Sequence, residues 1–256
     1  MRALAATWCS AWLDAWANRR SFWTQLVVMT INDSVWVLFW ILFFHRIGEV
    51  RGWDTEKMLL LFAILTTAAG IALGVFANAR KVGQLAGDGE LDATLTLPVD
   101  PLAHLLARRI DPSLIGDLAF GPILFALAGG PTPERIALFI VGSLCGAIVL
   151  TGFLIAAGSL TLFVGGRGEQ ADLAFQAALI LASYPIDFFG GVTKILLFTA
   201  VPAAFISSLP AELVDSFTFQ TTATLLGSAA FFSLLGIALF RLGMRRYASG
   251  AVWTRA

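Results

Sequence analysis

Long apolar runs separated by short polar breaks dominate this chain, with little of the strict alternation that a half-buried strand would show. Residues 24–44, 58–77, 110–128, 136–164 and 221–240 each come close to or exceed the roughly 20 mostly apolar residues that a helix needs to cross a hydrocarbon core of about 30 Å. The 136–164 run is long enough to tilt or to protrude. Between 172 and 209 the chain is equally apolar but interrupted by Pro185, Gly190-Gly191 and Pro202. The first 23 residues follow a different period. Leu4, Trp8, Trp12 and Trp16 form one helical stripe, and Thr7, Ser10, Asp14 and Asn18 face away from it. Trp favours the headgroup zone, so residues 1–23 are expected to form an amphipathic helix lying on the membrane surface.

Composition agrees with the pattern. The 256 residues are 58% hydrophobic and 13% charged, with mean hydropathy +0.81. A soluble domain is about 45–50% apolar and about 25% charged. The formal net charge is zero, which removes the basic footprint expected of a nucleic-acid binder. Cys9 and Cys145 are far apart and form neither a disulfide framework nor a metal pattern. His45 and His104 stand alone, so no zinc site is expected, and no Ser-His hydrolase within the membrane. Asn18–Trp23 reads NRRSFW, like a twin-arginine export signal. The apolar run after it has full span length, contains Asp33 and lacks a small-residue cleavage site. The two arginines are therefore expected to orient the first span.

Charge then fixes a topology. Alternate polar segments carry Arg2, Arg19, Arg20, Arg80, Lys81, Arg108, Arg109, Arg167, Arg241, Arg245, Arg246 and Arg255. The others carry only Arg46, Arg51, Lys57, Arg135 and Lys194. Lys and Arg concentrate on the cytoplasmic side, which puts both termini and the 79–109 segment there. Arg167 and Arg241 then need an even number of crossings between them. With 221–240 as one crossing, the broken region supplies a single further span, at 169–184, followed by a re-entrant hairpin at 187–209. Non-helical backbone at that depth requires a covering of protein or a water-filled cavity. The expected fold is an all-α polytopic membrane protein: six transmembrane helices in residues 24–256 after the interfacial helix, with the re-entrant hairpin between helices 5 and 6. The GGRGE stretch at 165–169 reads as a tight turn.

The most polar stretch, GDGELDATLTLPVDP at 87–101, lies between the second and third spans. Asp88-Gly89 is a turn signal. From Asp88 a short helix is expected, with Asp88, Glu90 and Asp92 at the positive end of its dipole and Leu91 and Leu95 on one face. Pro98 and Pro101 stop it. The alternative from the residues alone is a solvated loop.

The order of these parts resembles the permease subunit of ABC-2-type transporters. Gly89-Glu90-Leu91-Asp92, Leu95 and Pro98 match a G-E-L-D-x-x-L-x-x-P loop of that family. LGMRRYASG at 242–250 resembles the closing segment of its viologen- and daunorubicin-exporter branch. The resemblance implies an exporter of a hydrophobic or amphiphilic compound (drug, antibiotic or lipid). It implies a coupling helix at Asp88, Gly89, Glu90, Leu91, Asp92, Leu95 and Pro98 on which ATPase subunits dock, two per complex. It also implies a second permease, identical or related. ATP and Mg belong to the partner ATPase, and no cofactor is expected on this chain. Indeed no G-x-x-x-x-G-K-[ST] phosphate loop occurs in it.

Asp33 lies about 14 Å into the first span, near mid-membrane, where a carboxylate costs about 2.5–3.5 kcal/mol on insertion scales. It is expected to face the interior or a cavity beside Asn32 and Ser34, either lining a substrate pathway with Asn32 and Asp117 or serving as a protonated or internally hydrogen-bonded structural carboxylate. Asp117 is the weaker pathway candidate. Lys194 would line an exit path or snorkel to the surface. The pairs Gly70/Gly74 and Gly142/Gly146 allow close helix contact, between two permeases or within one. Two other classes compete. A lipid-modifying enzyme of the alcohol phosphotransferase type would open D-G-x-x-A-R at Asp88-Gly89, but Asp92 and Ala93 occupy the Ala-Arg positions. A non-transporting membrane scaffold would need no ATPase.

Overall fold

The computed structural model describes residues 2–165 and 169–247. The expected turn around Arg167, the end of the LGMRRYASG segment and Arg255 lie outside the described residues. The described residues are almost entirely helical, with no strand beyond an isolated Val50–Trp53 bridge. Among the described residues, four helical stretches are long and apolar enough to cross a membrane: Arg19–Ile47, Thr55–Val75, Pro133–Val164 and Phe219–Met244. Two bent pairs, Pro101–Ala107 with Pro112–Leu127 and Gly191–Thr199 with Ala204–Asp215, meet the same criterion jointly.

Helix α1 (Arg2–Ala17) ends earlier than the expected 1–23, because the Asn18 side chain accepts a hydrogen bond from the Ser21 amide (3.2 Å) and starts α2 (Arg19–Ile47) there. Trp16 packs edge-on to Phe22 and Trp23 across the elbow, with the Arg19 guanidinium over its ring. The α2–α3 connection turns at Arg51 and Gly52, both at positive φ, as a two-residue hairpin requires. Asp54 caps α3 (Thr55–Ala69), which widens into a π-helical turn at Gly70–Val75.

Three short helices follow, α4 (Val82–Gly87), α5 (Leu91–Leu95) and α6 (Pro101–Ala107). The third span is not the continuous 110–128 helix expected. It runs as α7 (Pro112–Ile115) and α8 (Asp117–Leu127), broken at Gly116 and bent 74° from α6. Its irregular start fits the π turn. Cβ atoms at Gly70 and Gly74 would lie 2.9 and 3.1 Å from backbone atoms of Leu118 and of Leu114–Ile115. Gly142 and Gly146 likewise approach Pro210 and the Ile206 carbonyl. Both glycine pairs thus serve packing within the chain. The long α9 (Pro133–Ser159) continues into α10 (Thr161–Val164), then come α11 (Glu169–Ala182), α12 (Gly191–Thr199), α13 (Leu209–Asp215) and α14 (Phe219–Met244).

Ion pairs sort the helix ends onto two faces. One face carries Arg80–Asp172 (3.3 Å), Glu90–Arg108 (2.9 Å) and Asp100–Arg241 (3.7 Å). The other carries Glu56–Arg135, Lys57–Asp215 (3.3 Å) and Asp187–Lys194 (2.8 Å). α11 runs between them, since Asp172 near its start pairs with Arg80, whereas Tyr184 just past its end meets the Trp40 ring. The α12–α13 segment starts and finishes on the second face. Before it, Asp187 accepts a hydrogen bond from Trp53 Nε1 (3.2 Å) and its carbonyl accepts one from Arg51 (2.6 Å). After it, Asp215 pairs with Lys57. A segment with both ends on one loop dips in and returns. Among the described residues, α2, α3, α7–α8, α9–α10, α11 and α14 therefore connect the two faces.

Asp187 is the hub of this tether. Burial alone would raise its carboxyl. The hydrogen bonds from Lys194 and Trp53, then the Lys194 and Arg51 charges, outweigh that and hold it below the usual carboxylate range. A depressed folded-state value means that the stabilisation is present in full above about pH 4 and is lost as pH falls through the lowered value. The Lys194–Asp187 pair is more than a third exposed, so we assign it only about 1 kcal/mol. Asp187→Asn is therefore expected to raise hydrogen exchange of the α12 amides about fivefold at pH 7. The gap from the native protein should close below about pH 4. Equal exchange at pH 7 would mean that the tether does not hold the hairpin.

Candidate functional site

Two constellations stand out, one at each level of the molecule. The first is the polar segment between α3 and α7. Its base is apolar: Ala79, Val82, Ala86, Leu91, Leu102 and Leu105 pack with Ile155 of α9, Leu162 of α10 and Phe240 of α14. Gly158 permits this approach, since a Cβ there would meet Val82 at 3.0 Å and the Gly83 amide at 3.1 Å. The buried Asn78 side chain donates to the Leu105 carbonyl (2.9 Å) and ties α6 to the end of α3. Asp100 caps α6, accepting from the Ala103 amide (2.9 Å), so Pro101 opens a helix as well as closing the preceding turn.

Here the structure corrects the expected helix. Residues 88–90 form a turn, with Gly89 at φ 77°, and α5 begins only at Leu91. Of the three acids, Asp92 alone falls in a first helical turn. Glu90 instead accepts from Arg108 (2.9 Å), and Asp88 is exposed. Leu91 and Leu95 do not share a free face. Leu91 is 2% exposed and belongs to the base, whereas Leu95 is 50% exposed and Leu97, which sequence reasoning did not single out, is 42% exposed. Pro98 is exposed beside them. The result is an apolar knuckle on a braced foundation. At the start of α4, burial first, and then the Arg109 and Arg80 charges, push the Lys81 amine down.

The second constellation lies between α2, α3, α8 and α11. Asp33 is 8% exposed and Asp117 3% exposed, and both line one cavity of about 190 Å³. Asp117, in the first turn of α8, faces Asp33. Asn32 donates to one Asp33 oxygen at 3.4 Å. The second Asp33 oxygen is buried without a partner. Ser34, expected beside it, points outward and donates to the Thr30 carbonyl. Trp36, Phe62, Thr66 and Tyr184 complete the walls. Trp36 lies one turn along α2 from Asp33, but no sequence signal linked Phe62, Thr66 or Tyr184 to it, because they come from α3 and from just past α11. Lys194, whose role was open, is paired with Asp187 on the second face. A larger, mainly apolar cavity of about 440 Å³ lies between α3, α6, α9 and α14, with Asp100 and Arg241 on its rim.

The long apolar helices fit a protein that crosses a membrane several times. The family model described as ABC-2 family transporter protein matches residues 30–251. No curated protein and no solved structure matches the chain. The match takes in α3 to α14 and most of α2, together with both constellations, and this multi-pass membrane protein belongs to the ABC-2 transporter family.

Proposed function

We propose that this chain is the permease subunit of an ATP-driven exporter of a hydrophobic or amphiphilic compound, energised by separate ATPase subunits that dock on residues 88–98. Two ATPases and a second permease, identical or related, complete the assembly, with ATP and Mg held by the ATPases. The face carrying Arg80, Glu90 and Arg241 is cytoplasmic in this reading, with both termini on that side of the cell inner membrane. The excess of Lys and Arg along that side supports the assignment.

The observation that carries the proposal is the knuckle's mounting. Leu95, Leu97 and Pro98 are exposed, and Leu91 directly beneath them is packed among residues from the ends of α9, α10 and α14. A push on such a surface passes to the spans without being absorbed by a slack loop. The tether through Asn78 and Leu105 leads toward α3, and the chain after α6 leads into α7–α8 at the Asp33–Asp117 cavity. Asn32, Asp33 and Asp117 belong to the substrate pathway in this reading.

The direct test is affinity purification of the tagged chain from its own cell membranes in mild detergent, with intact-mass identification of bound subunits. An ATPase should co-purify with the native chain and be lost when residues 89–95 are replaced by a flexible linker. If the intact chain retains no ATPase, the exporter reading fails, and a scaffold becomes the better account.

A further inference from the structure

Among the described residues, no Lys, Arg or His lines the α2–α8 cavity, so its acids have no counter-charge there. Two hydroxyls at its wall are committed to their own helices: Thr66 donates to the Phe62 carbonyl (2.8 Å) and Ser183 to the Leu179 carbonyl (2.8 Å). Apart from Asn32, the two acids have only each other: one buried Asp33 oxygen receives no donor from another side chain, and the Asp33 and Asp117 carboxyls lie within hydrogen-bond reach, so that a proton shared between them still leaves one negative charge in the cavity. Burying such groups is costly unless something positive or hydrogen-donating joins them.

The remaining walls select what that is. Trp36, Phe62 and Tyr184 present aromatic rings to the cavity, and aromatic faces attract a cation, Trp most strongly. At about 190 Å³ the space is smaller than the 300–1,000 Å³ typical of a site for a whole drug-sized molecule. It holds on the order of six water volumes at about 30 Å³ each. Its rim is exposed: Asn32 and Trp36 from α2 and Ile180 from α11 lie at the lateral surface of the chain. A compound can thus place one end inside while its bulk stays among apolar side chains outside.

We infer that this cavity is a headgroup site for a single positive charge, taking the protonated-amine or quaternary-ammonium end of an amphiphilic compound that enters between α2 and α11. Its role in transport rests on the exporter reading, but binding itself does not.

The test uses the full chain alone in an uncharged maltoside detergent, with calorimetric titration of benzyltrimethylammonium and of neopentylbenzene, its uncharged isostere. The cation should bind, and the Asp33→Asn/Asp117→Asn double variant should weaken it at least tenfold. The neutral isostere should be indifferent to the change. Equal cation affinity in the double variant, as when protons already neutralise both acids, overturns the inference. So does a neutral isostere that binds as tightly as the cation. Should the double variant not purify as a folded species, Trp36→Leu on the exposed rim takes its place. A several-fold loss of cation affinity supports the site, and no loss overturns it. An ATPase that co-purifies with a charge-blind cavity sinks only the headgroup site. A cation-binding cavity on a chain that retains no ATPase sinks only the exporter reading.

Discussion

Gly152→Leu is expected to abolish the folded protein. A Cβ at Gly152 would lie 2.4 Å from the Phe232 carbonyl oxygen and 2.8 Å from the Ser233 amide, and one at Gly236 would lie 2.6 Å from the Gly152 carbonyl. The two glycines therefore bring the backbones of α9 and α14 together. The obstructing atoms are main chain and cannot swing aside. Overpacking costs about 1–3 kcal/mol where side chains can adjust. Forcing two buried backbones apart exceeds that range, so we assign at least about 4 kcal/mol, in the exceptional class for a single substitution. Gly152→Ala should show an intermediate loss. Gly227→Leu is the control on the same α14, because nothing lies within 4 Å of a Cβ there. Size-exclusion profiles and thermal melts in detergent decide the matter. A Gly152→Leu protein that melts with the native one would mean that this crossing is not what joins α9 to α14.

Changing Leu95 and Leu97 together to Glu should leave the permease intact and cut ATPase retention by about a hundredfold. Both side chains are roughly half exposed. Covering the remainder of each on docking contributes about 1.5 kcal/mol, or about 3 kcal/mol for the pair, which corresponds to roughly two powers of ten in affinity. Leu91→Glu should behave differently, because Leu91 is part of the apolar base, and a charge there should unfold the segment. This contrast separates loss of docking from loss of structure, which replacing the whole 89–95 stretch does not. Unchanged retention by the Leu95/Leu97 variant would place the docking surface elsewhere.

The long spans were legible because a continuous apolar run of span length has few other uses. In the broken region the helix stops were legible, because Pro185, Gly190-Gly191 and Pro202 fall between α11, α12 and α13. The structure ties both ends of α12–α13 to the loop at Arg51–Lys57. What could not be read came from contacts between distant segments. At the π turn Gly70 and Gly74 let α3 approach Leu114, Ile115 and Leu118, and Gly116 passes close to Leu26 of α2. The partnership of Asp33 with Asp117 joins two helices far apart in the chain. Spacing alone put Leu91 and Leu95 on one face, but Gly89 at positive φ restarts the helix at Leu91 and turns that side chain inward. Asn18 ends α1 before Trp23 because a local cap outweighs the aromatic stripe.

The short α11 has a consequence for the surrounding lipid. Its 14 residues span about 21 Å, whereas α9 with α10 spans about 48 Å over 32 residues. Leu173 and Ile180 on α11 face outward, so lipid or a neighbouring chain must meet a surface about 9 Å shorter than the ordinary hydrocarbon thickness. Mismatch costs a fraction of a kcal/mol per Å. A bilayer that thins locally relieves that strain, and so does a second subunit that covers the helix. The same chain should therefore sit more comfortably among short-chain lipids than long-chain ones. Membrane thickness becomes a term in its assembly alongside any contact between proteins.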